Sequence, residues 1–323
     1  MFFVSRTISK YLGAKPVSKF SHPLSKLVHG TVRIECIGRD GSVSSGTGYV
    51  YGFCESEKGC RPGVVTNKHV VRGAARVIFH LTLRKEDGSA DLGSHEAVAV
   101  DNVAQCCVYH PDPGIDLVAF PIGSILNDGV SGRQFFFTMI GKDTVAADDL
   151  LESLSPMEEI VMIGYPNGLW DEFHNLPIVR KGITATHPRL RLNGKPEFLI
   201  DAACFPGSSG SPVFLANIGT YLDSNGLLHA ATRIALLGTL YSGPQYTAAG
   251  DVRVVDVPTD TRVVSFSSIP SNLGYVIQAR ELFVLDEAIA KAQEEGGNGR
   301  LPSRNSDCPC HSGLKYKECC GVI

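Results

Sequence analysis

The chain has 323 residues, 43% of them hydrophobic, with 34 glycines, 18 prolines and a formal net charge of −3. That apolar content supports one large core or two smaller ones, while the near-neutral charge gives no electrostatic footprint for nucleic acid. No apolar run approaches the ~20 residues that a membrane-spanning helix needs, and the many short Val/Ile-rich runs broken by glycine and proline favour β structure over a helical bundle.

Residues 1–34 carry Arg6, Lys10, Lys15, Lys19, Lys26 and Arg33, and no acid precedes Glu35. This bias fits either an organelle transit segment or a basic extension lying on the folded part. It lacks the apolar stretch and small-residue cleavage site of a secretory signal, so a cytoplasmic location is expected. Thr31–Ile37 alternates as a strand does. Gly41–Gly48 reads as a turn-rich loop, Tyr49–Phe53 as a second strand, and 54–62 as a hairpin loop. Cys54 and Cys60 in that loop have no partner ligands nearby, which argues against a metal there.

The β-branched run Gly63-Val64-Val65 ends in a Thr66-Asn67 turn, and His69 follows almost at once. Val77–Leu83 is the next strand, with His80 as a structural member of it. Farther on, Asp116 enters the strongly apolar Leu117-Val118-Ala119-Phe120. A carboxylate at a core edge needs a hydrogen-bond partner, and a histidine N–H would serve while fixing the tautomer of its ring. Asp112 competes for that role from a proline-rich loop, but Asp116 has the more rigid platform.

Residues 141–157 are acidic and loop-like. Ile160–Ile163 is a strand ending in the turn Gly164-Tyr165-Pro166, and Pro177–Ile183 reads as the next strand. Trp170, Asp171 and His174 lie between them, where an aromatic usually packs locally. Then comes Gly207-Ser208-Ser209-Gly210-Ser211-Pro212. A serine hydroxyl is a weak nucleophile that must be held exposed beside a base. Backbone N–H groups must point where negative charge will develop, and glycine lets the chain turn without a clashing Cβ. Ser209 is therefore the expected nucleophile, with the amides of Gly207 and Ser209 as an oxyanion hole. Ile234–Gly243 is a further strand, 244–271 an insertion without an assigned role, and Leu273–Ile277 another strand. Ala279–Glu295 has helical spacing, with Leu282, Leu285, Ile289 and Ala292 on one side.

Six of the ten cysteines are scattered without a framework spacing, as reduced thiols are. The other four, Cys308, Cys310, Cys319 and Cys320, form a C-x-C-x8-C-C pattern past a glycine-rich linker, 296–303. So short a segment has no core of its own and needs a metal to supply its folding energy. Four thiolates suit a closed, tetrahedral structural Zn²⁺.

His69, Asp116 and Ser209 follow one another in the order of the chymotrypsin-type serine proteases. With Gly46-Thr47-Gly48, Thr66-Asn67-Lys68-His69-Val70-Val71, Asp116-Leu117, Asp201-Ala202-Ala203 and Pro206–Pro212, the chain resembles the HtrA-like branch of trypsin-like peptidases. The resemblance implies an all-β fold over 31–295: two six-stranded antiparallel β-barrels, His69 and Asp116 from the first and Ser209 from the second, and a C-terminal helix packed on the second. It implies a serine endopeptidase working through an acyl-enzyme. Thr239, Leu240, Tyr241 and Ser242 would pair with the substrate backbone, and Ala203 would floor the side-chain pocket. Ala203 is not acidic, so small or medium apolar side chains are expected rather than Lys or Arg. Ser208 stands where many secreted members carry an Asp that pairs with a freshly cleaved N-terminus, so activity must be controlled in another way.

The tail, 304–323, resembles the SEC-C motif of the SecA translocation ATPase, with His311 where glycine is usual. That implies zinc and a protein partner, for which Lys315, Tyr316 and Lys317 offer a basic-aromatic face. Two other readings stand beside an active peptidase acting on polypeptides away from membranes. One is a non-catalytic barrel that holds extended peptides. The other is a peptidase that stays latent until a partner binds the tail.

Overall fold

The computed structural model describes residues 22–57, 59–123, 134–252, 263–270 and 272–294, together with Asn305 and Lys315. The first half opens with helix α1 (Pro23–Val28), followed by β1 (Thr31–Gly38), β2 (Val43–Ser56) and β3 (Gly59–Thr66). A short helix α2 (Lys68–Val71) leads to β4 (Ala74–Arg84), β5 (Ala90–Asp101), α3 (Val103–Cys106), β6 (Val108–Tyr109) and β7 (Val118–Pro121). The second half holds α4 (Asp148–Glu152), β8 (Glu159–Gly164), β9 (Ile178–Thr184), β10 (Glu197–Asp201) and β11 (Pro212–Asn217). It continues with β12 (Tyr221–Leu222), β13 (Leu228–His229), β14 (Arg233–Ser242), β15 (Gln245–Val252), β16 (Val263–Pro270), β17 (Leu273–Gln278) and helix α5 (Glu281–Glu294).

Six strands of the second half close a barrel in the order β10-β17-β14-β11-β8-β9. The first half is a seven-stranded sheet, β5-β4-β1-β2-β3-β7-β6, where a six-stranded barrel was expected. The added member is β6, whose two residues extend the edge of β7 through Val108↔Ala119 and Tyr109↔Val118. The stretch 41–48 is mostly strand, since β2 begins at Val43. Its glycine at 48 answers close packing and not a turn: a Cβ there would lie 2.6 Å from Val64 Cγ1 and 2.8 Å from Ile34 Cδ1. The loop expected over 54–62 shrinks to a tight connection, with Cys60 inside β3. The insertion 244–271 contains an antiparallel hairpin, registered from Gln245↔Pro270 to Val252↔Val263.

The pleat explains how the halves join. Successive side chains of a strand point to opposite faces, and strands buried on both faces read as continuous apolar runs. In β2, Val50 faces the core of the first sheet while Tyr49, Tyr51 and Phe53 face a second core. In β11, Val213 and Leu215 fill the barrel while Phe214 and Ala216 face that same second core. In β8, Ile160 and Met162 point in, while Val161 and Ile163 point out. Each half thus has its own core, and a third, shared core lies between them.

Helix α5 seals the shared core with Leu282, Leu285 and Ile289. It packs against β2 and β6 of the first half, where the second barrel was expected, and Asp286 Oδ1 accepts from the Cys54 amide at 2.6 Å. Ala292, expected on the same side, is exposed, one turn beyond the core. Within the shared core the fully buried Tyr49 hydroxyl meets Thr239 Oγ1 at 2.7 Å, from one half to the other. Replacing Tyr49 by Phe leaves the Thr239 hydroxyl buried without that partner. The expected loss is about 1 kcal/mol of stability, read from urea unfolding.

Candidate active site

Two of the expected residues meet directly. His69 sits on α2, started by Asn67 in extended conformation. The Asn67 side-chain amide donates to the Asp116 carbonyl at 2.8 Å, which ties the segment before β7 to the start of α2. Asp116 then holds His69 twice: Oδ1 accepts from the His69 backbone N–H at 3.0 Å, and Oδ2 lies 2.5 Å from Nδ1. A carboxylate beside Nδ1 keeps the proton on that nitrogen and leaves Nε2 with a lone pair. Asp112 is spent elsewhere, its carboxylate on the Gly114 amide and its carbonyl on Lys68 Nζ.

The Ser209 turn lies between β10 and β11. Gly207 and Gly210 both have positive φ, 84° and 87°. A Cβ on Gly210 would fall 1.9 Å from the Thr47 carbonyl oxygen, so only glycine fits. The amides of Ser208, Gly210 and Ser211 are donated to Phe205, Leu240 and Ser208 carbonyls at 3.0, 2.8 and 3.0 Å. Among the described residues, the amides of Gly207 and Ser209 donate to no carbonyl. Ser209 Oγ lies 3.4 Å from the Tyr241 carbonyl, and no hydrogen bond joins it to His69 among the described residues. Cys204, close by, is no rival nucleophile: burial pushes its thiol up to about 11, against the pull of Arg180.

Three further residues shape the site, two of them inside the family motifs but none given a role of its own from the sequence. Thr47, fully buried in β2, donates its backbone N–H to the Ser209 carbonyl at 2.9 Å and its hydroxyl to the Gly207 carbonyl at 2.8 Å. Its hydroxyl also accepts from the Tyr165 amide at 3.1 Å, and its carbonyl accepts from Thr66 Oγ1 at 2.7 Å, directly before the α2 turn. One threonine from the first half therefore ties together the serine turn, the loop after β8 and the histidine segment. Its flanking glycines were the only hint. Asn67 is the second such residue. Arg180, on β9, is the third: it donates to the Ala203 carbonyl and, at 3.0 Å, to Ser208 Oγ.

The expected substrate strand needs correction at two positions. Thr239 and Leu240 are buried and paired on both sides, Thr239 with Pro212 and Ile277. The Leu240 N–H goes to Ser211 at 2.9 Å and its carbonyl accepts from Gly210. A residue has one backbone donor and one acceptor axis to offer, so neither can pair with another strand. Tyr241 and Ser242 lie past the end of β11. Tyr241 also gives its hydroxyl to Glu197 Oε2 at 2.5 Å; burial and that contact push its pKa up. Trp170, expected to pack locally, instead reaches the first sheet, where it lies under the Arg33 guanidinium at 4.9 Å and against His80 and His95. Cys308, Cys310, Cys319 and Cys320 lie outside the described residues. Among the described residues no cluster of three or more His, Cys, Asp or Glu could hold a metal, and no helix is long and apolar enough to cross a membrane.

The trypsin-like peptidase domain matches residues 46–220, and the SEC-C motif matches residues 304–321. The chain belongs to the trypsin-like peptidase family. That family is one of peptidases, enzymes that act on polypeptides. Solved structures similar to it include the Rv3671c protease from M. tuberculosis in its active form, at 18% identity and TM-score 0.41, covering 87% of this chain and 86% of that one. The HtrA-type protease AlgW with a tripeptide is similar at 17% identity and TM-score 0.44, covering 85% of this chain and 63% of that one. The serine endoprotease from Yersinia pestis is similar at 15% identity and TM-score 0.44, covering 83% of this chain and 66% of that one. Among curated proteins, the SecA translocase subunits of Pelobacter propionicus and Geobacter sp. are 48% identical over 40 residues and 50% identical over 46. Those matches take in 12% and 14% of this chain and span only 4% and 5% of the SecA chains.

Thr47→Val keeps the shape of the side chain and removes its hydroxyl, leaving the Gly207 carbonyl and the Tyr165 amide without that partner. A loss of about 3 kcal/mol in urea unfolding is expected, the order set by two buried backbone groups left unpaired.

Proposed function

We propose that His69, Asp116 and Ser209 form a catalytic triad and that the chain cleaves peptide bonds through an acyl-enzyme. The observation that carries this reading is the double hold of Asp116 on His69, set beside a serine turn with two unspent amides. In the proposed first step, His69 Nε2 takes the Ser209 proton as Oγ attacks the peptide carbonyl. Asp116 orients the ring and stabilises the imidazolium. The amides of Gly207 and Ser209 receive the oxygen as it becomes negative. His69 then gives the proton to the leaving amine, and water, activated by the same imidazole, releases the acyl group. In this reading Ser209 Oγ would leave the Tyr241 carbonyl and turn to His69 when substrate binds, since contacts of this kind are often loose beforehand.

The substrate backbone would pair along Tyr241 and Ser242 only. The side chain beside the scissile bond would enter near Ala203, where Arg180 opposes a Lys or Arg. Small or medium apolar side chains are the preferred class. The peptidase unit is taken as 31–295, with 1–30 as an extension, 296–303 as a linker and 304–323 as a separate tail.

For the tail, the donor set fits zinc: four thiols, two close pairs, in a segment too short for its own core. Cys308, Cys310, Cys319 and Cys320 would hold the ion, which would fold the tail and take no part in peptide cleavage. The folded tail is proposed to recruit a substrate or protein partner.

Two experiments test the assignments. A fluorophosphonate probe should label the parent by intact mass and leave Ser209→Ala unlabelled, while Asp116→Asn labels about 10⁴-fold more slowly. Labelling of Ser209→Ala at the parental rate would sink the triad. Separately, the purified protein should carry one equivalent of zinc by elemental analysis. The Cys319→Ser, Cys320→Ser double variant should lose that zinc and keep the parental labelling rate.

A further inference from the structure

Arg180 poses an electrostatic problem. Its guanidinium is largely buried, and burial lowers its pKa. Among the described residues no carboxylate lies within ion-pair distance of it, and its Nε donates to no partner. A buried cation without a counter-ion is costly. What it does touch is the nucleophile turn, at the Ala203 carbonyl and the Ser208 hydroxyl, the latter on a residue only 1% exposed.

The geometry of the turn shows what this contact controls. In a planar peptide the carbonyl of one residue and the N–H of the next point in opposite directions. The Pro206 carbonyl is held by the Asn167 amide at 2.5 Å, which turns the Gly207 N–H the other way. The Ser208 carbonyl is held by the Ser211 amide at 3.0 Å, which does the same for the Ser209 N–H. The Gly207 carbonyl is held by Thr47 Oγ1. Ser208 is thus the residue between the two open amides. Its side chain is anchored by Arg180 from below, and the same guanidinium grips the start of the loop at Ala203.

We infer that Arg180 is a positioning residue that holds Ser208 so that the Gly207 and Ser209 amides stay open toward the reacting carbonyl. The inference rests on the reading of Ser209 as nucleophile. The anchor is internal to the folded chain: a cation on β9 acting on a neutral serine. It requires no new chain terminus to complete the turn.

The test separates positioning from a merely structural role, because the two predict different things for Arg180→Met. Replacing the cation by an apolar side chain of similar length removes a buried charge but leaves the Ala203 carbonyl and the Ser208 hydroxyl without that donor, so the two effects oppose and the urea midpoint should shift little. Fluorophosphonate labelling of the full chain should nevertheless fall about 100-fold, the order seen when an oxyanion donor is lost. The pH midpoint of labelling should stay where it is, since His69 and Asp116 are untouched. Arg180→Lys, which keeps one charged donor, should recover part of the rate. Ser208→Ala, which keeps the guanidinium, should lose about tenfold, the equivalent of one hydrogen bond, and decides the question should Arg180→Met fail to fold. Labelling of both Arg180→Met and Ser208→Ala within twofold of the parent would overturn the inference while leaving the triad intact. A fall in rate matched by a parallel fall in stability would overturn it as well. A parent that does not label at all would overturn the reading of Ser209 itself.

Discussion

The site depends on one threonine. Thr47 belongs to β2 of the first half, yet its backbone N–H and its hydroxyl are bound to the Ser209 turn of the second. Its carbonyl takes the Thr66 hydroxyl, which lies at the entrance to the histidine helix. His69 and Ser209 lie in different halves of the chain, 209 − 69 = 140 residues apart, so their relative placement is a matter of how the two halves meet. The shared core supplies the bulk of the attraction, but hydrophobic contact is non-directional. Directional bonds at Thr47 turn an apolar contact into a fixed geometry.

Around that junction the polar groups are divided with little waste. Asp116 gives one oxygen to the His69 backbone and the other to its ring. The serine turn has its carbonyls occupied at Pro206, Gly207, Ser208 and Ser209, and two of its amides left over. Those two amides, on partly buried residues, are what the proposed role of the turn requires: donors not already spent within the chain. Arg180 fits the same pattern, its donors going to the Ala203 carbonyl and the Ser208 hydroxyl of the segment that leads into the turn.

What was legible in the sequence was chemistry confined to a few consecutive residues. A serine between glycines, a histidine after a β-branched strand and an aspartate before an apolar run each announce themselves locally. The fold class was legible from short apolar runs, and the buried side of α5 from Leu282, Leu285 and Ile289. What failed was whatever depended on the partner across a space. Gly48 looked like a turn residue because sequence does not show that Val64 and Ile34 press on its Cα. Helix α5 was expected on the second barrel alone and instead seals the core shared by both halves, because periodicity reveals a buried face but not what covers it. Thr239 and Leu240 looked available because a strand's second neighbour is invisible until the register is known. Thr47 and Arg180 carry common side chains in ordinary strands, and only the three-dimensional arrangement shows what they hold.

The Trp170 packing has a mechanical meaning. Trp170 is wedged against Arg33, His80 and His95 on the first sheet. Only a few residues earlier, the Asn167 amide grips the Pro206 carbonyl, and with it the tilt of the Gly207 peptide plane. That short stretch therefore touches the serine turn at one end and the first sheet at the other. The tilt of the Gly207 peptide plane is thereby set by contacts that reach from the serine turn to the first sheet, apart from His69 and Asp116.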